Sequence, residues 1–162
     1  MVSGVISLDD QPKSNMLKLI LGLVVLVTAV VLLVLYLTPI LYTEDIIRET
    51  ITINAGSYVY YPFTVPSQTF RIYNIRVEGG VTDIEYRNYY LTVYIMDSTN
   101  FFNWKNGQEV STYYSATAQT RVPIAIDLPP GKTYYLVIDN SFSTVSQTVA
   151  IQATLTYSQT RF

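Results

Sequence analysis

Residues 148–157 read TVAIQATLTY, with Val149, Ile151, Ala153, Leu155 and Tyr157 on every second position and Thr148, Ala150, Gln152, Thr154 and Thr156 between them. Successive side chains on a strand point to opposite faces, so this pattern predicts a strand with one face in a core and one toward water. The same period recurs upstream. Val122, Ile124, Ile126 and Leu128 alternate before the turn Pro129-Pro130-Gly131-Lys132, and Tyr134, Leu136 and Ile138 alternate before Asp139-Asn140-Ser141. The latter triplet reads as an Asx turn. Leu91, Val93 and Ile95 share a face within 89–97.

Earlier strands are less regular. Tyr58 to Val65 is strand-like, and Pro62 places it at a sheet edge or bulge. Phe70 and Ile72, then Ile75 and Val77, lie on one strand whose phase slips near Tyr73-Asn74, as a β-bulge would make it. Short strands are expected at Ile51–Ile53, 81–86 and 109–114, with Glu78-Gly79-Gly80 as a turn and Ser98–Gln108 as the longest irregular stretch. No amphipathic helix is expected among them. The fold class is therefore mainly β: an antiparallel β-sandwich of about eight strands, jelly-roll or Greek-key, over 50–162.

Ahead of this domain, residues 17–41 read LKLILGLVVLVTAVVLLVLYLTPIL, with no charge between Leu19 and Leu37. A bilayer core about 30 Å thick needs roughly 20 apolar residues as helix, and this run supplies them. Its length and the lack of a small-residue cleavage pattern after it distinguish it from a secretory signal peptide, so it is expected to be a retained anchor. Lys13 and Lys18 flank one end and Glu44 and Asp45 the other. Bases near a span favour the cytoplasmic side, which predicts a cytoplasmic tail at 1–16, a transmembrane helix at 17–41, a linker at 42–49 and an extracytoplasmic sandwich. Tyr36 and Tyr42 suit the interfacial aromatic belt, and Pro39 is expected to end or kink the helix.

Composition narrows the chemistry. The chain has 162 residues, 15 Tyr, no Cys and no His. Without Cys there is no disulfide, thiolate nucleophile or Cys zinc site; without His there is no Ser-His-Asp triad and no imidazole base or ligand. Net charge is −2, from 10 basic and 12 acidic residues. The signs are interspersed, so no basic stripe is available for nucleic acid.

The segment 101–143, FFNWKNGQEVSTYYSATAQTRVPIAIDLPPGKTYYLVIDNSFS, resembles the C-terminal half of emp24/gp25L-type (GOLD-like) β-sandwiches. The resemblance covers Thr50 to Tyr157 and rests on the aromatic-Gly loop, the strand ending in Pro-Gly, YYLVIDNS and the final alternating strand. It implies a non-enzymatic protein-interaction module. Members in eukaryotes place the span after the sandwich, whereas here it precedes it. The Tyr/Thr/Ile-rich, Cys-free composition also resembles surface proteins of thermophilic archaea.

Several residues are candidates for a site. Tyr60-Tyr61, Tyr89-Tyr90, Tyr113-Tyr114 and Tyr134-Tyr135 are pairs on strands, so one ring of each should enter the core and the other should line the surface. An outer face bearing Tyr89, Tyr113 and Tyr134 would offer rigid contact area to a partner; the alternative is that Tyr is a good strand former. Phe101, Phe102 and Trp104 form the best binding candidate as exposed loop anchors, or else a loop folded back to plug one end of the sandwich. Glu78, Asp83 and Glu85 are more economically read as a solvated face than as calcium ligands. Asp97 and Asp127 are the carboxylates that an envelope hydrolase of the glycosidase type would pair, the least favoured of the readings. No cofactor and no metal is expected. The expected partners are the lipid bilayer and other membrane or envelope proteins, with a homo-oligomer as a further option. Three roles compete: a free-standing single-span protein for binding or assembly at the cell envelope, an accessory subunit of a larger membrane complex, and a filament or pilus subunit joined by strand addition.

Overall fold

The computed structural model describes residues 11–67, 72–85 and 90–160. Two compact units result, one containing the N-terminal helix up to Thr38 and one spanning Pro39–Thr160.

Helix α1 runs Gln11–Leu37. It begins and ends four to six residues earlier than the apolar run alone indicates. Pro12 suits a first helical turn, where its missing N–H goes unused, and Pro39 stops the helix before Ile40. The stretch Asn15–Leu37 has mean hydropathy 3.1, and all its side chains are exposed. Among them, Thr28 turns its hydroxyl back onto the Val24 carbonyl at 2.8 Å. That bond removes the only polar side chain in the middle of the helix from the need for another partner.

The second unit is an eight-stranded sandwich. The strands are β1 (Ile40–Ile53), β2 (Tyr58–Thr64), β3 (Ile72–Asp83), β4 (Leu91–Asp97), β5 (Tyr114–Ala118), β6 (Arg121–Asp127), β7 (Thr133–Asp139) and β8 (Gln147–Gln159), with helix α2 (Ser98–Lys105) between β4 and β5. One sheet has the order β1-β8-β3-β6 and the other β2-β7-β4-β5, all antiparallel. The first strand thus pairs with the last, the second with the seventh, the third with the sixth and the fourth with the fifth. A ribbon folded double at β4–β5 and then rolled up gives this order, which is the jelly roll.

The period-2 residues point where the sequence places them. Val149, Ile151, Ala153 and Leu155 of β8 meet Leu91, Val93, Ile95, Tyr134, Leu136 and Ile138 of the facing sheet in one core. Pro62 lies on the edge strand β2 and Pro123 on the edge strand β6, where a missing N–H costs no ladder bond. The expected bulge is present: the β3–β8 register shifts between Tyr73 and Arg76, with Asn74 at φ 53°.

Four expectations are corrected. Residues 42–49 are no linker but strand, because β1 pairs with β8 from Ile40 onward. Glu78-Gly79-Gly80 is no turn: it runs mid-strand between β8 and β6. A Cβ on Gly79 would lie 2.0 Å from the Gln152 carbonyl oxygen, so glycine there serves close strand approach. The strand expected at 109–114 begins at Tyr114 instead. Lastly, Ser98–Lys105, read as irregular, is helix α2.

Candidate functional site

Helix α2 decides the fate of the aromatic loop. Asp97, extended at the end of β4, caps it by accepting from the Asn100 N–H at 3.1 Å. At the other end Gly107 (φ 68°) donates to the Trp104 carbonyl and Gln108 to that of Asn103. The left-handed glycine closes the helix, as is usual just past a C-terminus. Phe101 and Trp104 are three apart, so they share one face of the helix. That face lies on the outer side of the β2-β7-β4-β5 sheet. Phe101 stacks on Tyr135 at 4.1 Å and tilts against Tyr60 at 4.9 Å. Trp104 meets Tyr58 edge-on at 4.8 Å. Met96, Val137 and Phe101 become buried in this second small core. Lys105 Nζ lies 5.6 Å above the Phe101 ring and 5.7 Å above that of Tyr60.

The loop therefore folds back, but over a sheet face and not into the end of the sandwich. Phe101 is enclosed and cannot be a surface anchor, Trp104 is half-buried, and Phe102 projects at 68 % exposure. Tyr134 is also corrected: it is fully buried, between Phe63 and Tyr113, and its hydroxyl donates to the Pro129 carbonyl at 2.7 Å. Burial pushes its phenol up to about 12. Within this pair the inward ring is Tyr134, and the outward ring, Tyr135, is covered by α2. In the pair Tyr60-Tyr61, Tyr60 faces outward and is exposed, while Tyr61 packs against the core and donates to Glu49. Tyr113 is half-buried; its hydroxyl accepts from Lys132 Nζ at 3.1 Å, and Lys132 reaches Asp97 at 3.2 Å. Tyr89 lies outside the described residues.

The carboxylates do not gather. Asp97 is held by Lys132 and Asp127 by Arg76 at 3.0 Å, on different sheets. Glu78 pairs with Arg76 at 2.6 Å, while Asp83 is buried and accepts from the Glu85 N–H. Among the described residues no three Asp or Glu side chains converge on a cation position. An open recess of about 550 Å³ on the outer face of the other sheet has Gly80, Thr82 and Ala150 in its floor and Arg48 and Arg121 at its sides.

A second feature lies at the end of the sandwich opposite Ile40, where the β1–β2 and β7–β8 connections meet. Asn140 is buried there. Its Nδ2 donates to the carbonyls of Ile53 (3.2 Å), Asn54 (3.1 Å) and Val145 (2.9 Å), and its Oδ1 accepts from Gln147. Its N–H donates to the Ser57 carbonyl, Gly56 to that of Ser143, and Ser141 N–H to Asp139 Oδ1, which makes the expected Asx turn. These bonds staple two connections into one block, and from that block Phe142 projects at 88 % exposure. Asp139-Asn140-Ser141 is legible as a turn in the sequence; the hydrogen bonds that tie this turn to the β1–β2 connection are visible only in the fold.

No protein-family model matches the chain, and no curated protein matches it. Among solved structures, one from Bacillus endospore appendages, described as a novel family of disulfide-linked pili, aligns over 75 % of this chain and 91 % of its own, with 9 % identity and a TM-score of 0.46.

Proposed function

We propose that this chain is a non-enzymatic, single-span membrane protein that displays a jelly roll for protein binding or assembly at the cell envelope. The observation carrying this reading is Phe142. A large apolar ring left in water is unfavourable, and here it is held on a turn pinned by buried hydrogen bonds at the end opposite Ile40. Phe102, on a helix capped at both ends, is a second such ring. Rigid presentation lowers the ordering cost of association. Support for the anchor comes from the length and hydropathy of Asn15–Leu37, and support for a cytoplasmic N-terminus from Lys13 and Lys18. The absence of His and Cys supports a binding role over catalysis by the common nucleophile–base sets. The GOLD-like reading is supported only by the sandwich architecture. A filament role would require contacts other than disulfides, since the chain has no cysteine.

Mild-detergent extraction of the tagged chain followed by mass spectrometry tests the proposal. A stoichiometric partner, or a second copy, should copurify. Phe142→Ser should lose it while the melting temperature stays unchanged. Recovery of the native chain as a monodisperse monomer with nothing bound would overturn the reading.

A further inference from the structure

The Ile40 end of the β1-β8-β3 layer has a distinct surface. Strands β1, β8 and β3 run to 12–14 residues, against 7 in β6 and 5–7 in the facing sheet. Short connections hold the two sheets together at the Phe142 end, so the surplus length falls at the Ile40 end. A groove lined by Thr64, Glu44 and Leu155 marks the level at which the facing sheet stops. Beyond it β1 contributes Ile40–Thr43, β8 contributes Thr156–Gln159, and β3 contributes Ile72–Ile75. None of these residues is charged; the next residue on β1 is Glu44, opposite Leu155 of β8, and the next on β3 is Arg76, opposite Thr156. Arg71 and Arg161 lie outside the described residues.

Within this uncharged belt Leu41 is 68 % exposed, and Tyr42 and Tyr157 stack at 5.4 Å with their rings 11° from parallel. Tyr73 is half-buried beside them on β3. The belt is four residues deep, roughly 13 Å at the usual rise per strand residue. Its chemistry, tyrosine and aliphatic residues with hydroxyls and no charge, is that of the interfacial layer of a bilayer. Chain connectivity supplies the second argument. Helix α1 ends at Leu37 and β1 starts at Ile40, so Leu41 lies at most about 14 Å of extended chain from the helix end.

From this we infer that the uncharged end of sheet β1-β8-β3 is seated in the lipid headgroup layer, with Leu41, Tyr42, Tyr73 and Tyr157 as its contacts. The inference rests on α1 spanning the bilayer. It adds that β8 and β3, distant from the helix in sequence, also touch lipid.

The cysteine-free chain allows unique labelling. Full-length Leu41→Cys, Ser158→Cys, Phe142→Cys and Val27→Cys variants would be spin-labelled and reconstituted in phosphatidylcholine vesicles. Accessibility to oxygen and to a water-soluble nickel complex would then be measured. The expected result is loss of nickel accessibility with retained oxygen accessibility at positions 41 and 158, full nickel accessibility at 142, and oxygen accessibility alone at 27. If position 158 is as open to nickel as 142 while 27 stays in lipid, the seat is overturned and the span stands. If 158 is closed to both reagents, a protein covers this end and the seat is again overturned. Nickel accessibility at 27 would overturn the span itself.

Discussion

Asn140 and Gly79 show how far single residues reach in this sandwich. The Asn140 amide serves three carbonyls from two connections. Asn140→Ala would leave buried carbonyls without a donor, at about 1–3 kcal/mol for such a loss. We expect a total near 3 kcal/mol, read from the urea midpoint, together with a gain in protease sensitivity at 54–57 and 140–146. At Gly79 the carbonyl of Gln152 occupies the space of a Cβ, and φ is 154°. Gly79→Ala should cost about 3 kcal/mol or more, since backbone must move. Gly22→Ala, with nothing within 4 Å, should leave the thermal midpoint unchanged. Neither role was legible locally. Gly-Gly looks like a turn because glycine is used for turns and for close approach alike, and only the strand running past it tells which.

Helix α2 is held by its caps and by what lies beneath it. Burial of Asp97 opposes its ionisation, but hydrogen bonds from the Asn100 N–H and side chain and from Lys132 outweigh this and hold its carboxyl below the usual 3.8. Lys132, hydrogen-bonded to Tyr113 and Asp97, is pushed up to about 12 from 10.5. The depressed carboxyl stabilises the fold fully above its unfolded value and loses that contribution as pH falls through the lower folded value. The raised ammonium stabilises below 10.5 and loses its contribution as pH rises through about 12. The stability contribution of the Asp97–Lys132 pair is therefore expected to be flat across neutral pH. Asp97→Asn should reduce the acid-side slope of stability against pH, measured by urea unfolding from pH 2 to 7. Asp97→Ala also removes the cap and should cost about 1–2 kcal/mol. Lys132→Met should move the urea midpoint only slightly, because the amine is half exposed to screening water. Parts of α2 were present in the sequence: Asp97 three residues ahead of Asn100, aromatics at i and i+3, and Asn106-Gly107 at the end. Eight residues are too few to display a helical period, so the segment reads as irregular.

At the scale of the whole sandwich, β7 and β8, like β3 and β4, are flanked by strands on both sides. β5 is a five-residue edge strand. Backbone amides of β7 and β8 should exchange only through global unfolding, while those of β5 exchange through local opening. Hydrogen exchange followed by mass spectrometry checks this, and equal protection of β5 and β8 would contradict the strand order. The same topology sorts the aromatic candidates. Tyr134 and Phe101 turned out to be packing residues, because β7 lies mid-sheet and α2 covers its outer face. Phe102 and Phe142 project because one lies on the far side of α2 and the other at the tip of a turn.

By itself the sequence determined the apolar helix, the two-residue period, the edge proline Pro62, the bulge near Asn74 and the chemistry ruled out by missing His and Cys. Each of these is a property of neighbouring residues or of composition. The tertiary structure decided which strands pair, why Gly79 must be glycine, which aromatic rings are core and which are presented, and how Ile40–Thr43, Ile72–Ile75 and Thr156–Gln159 come to share one uncharged end. Those depend on residues far apart in the chain, and the period that reveals a strand says nothing about what lies against it.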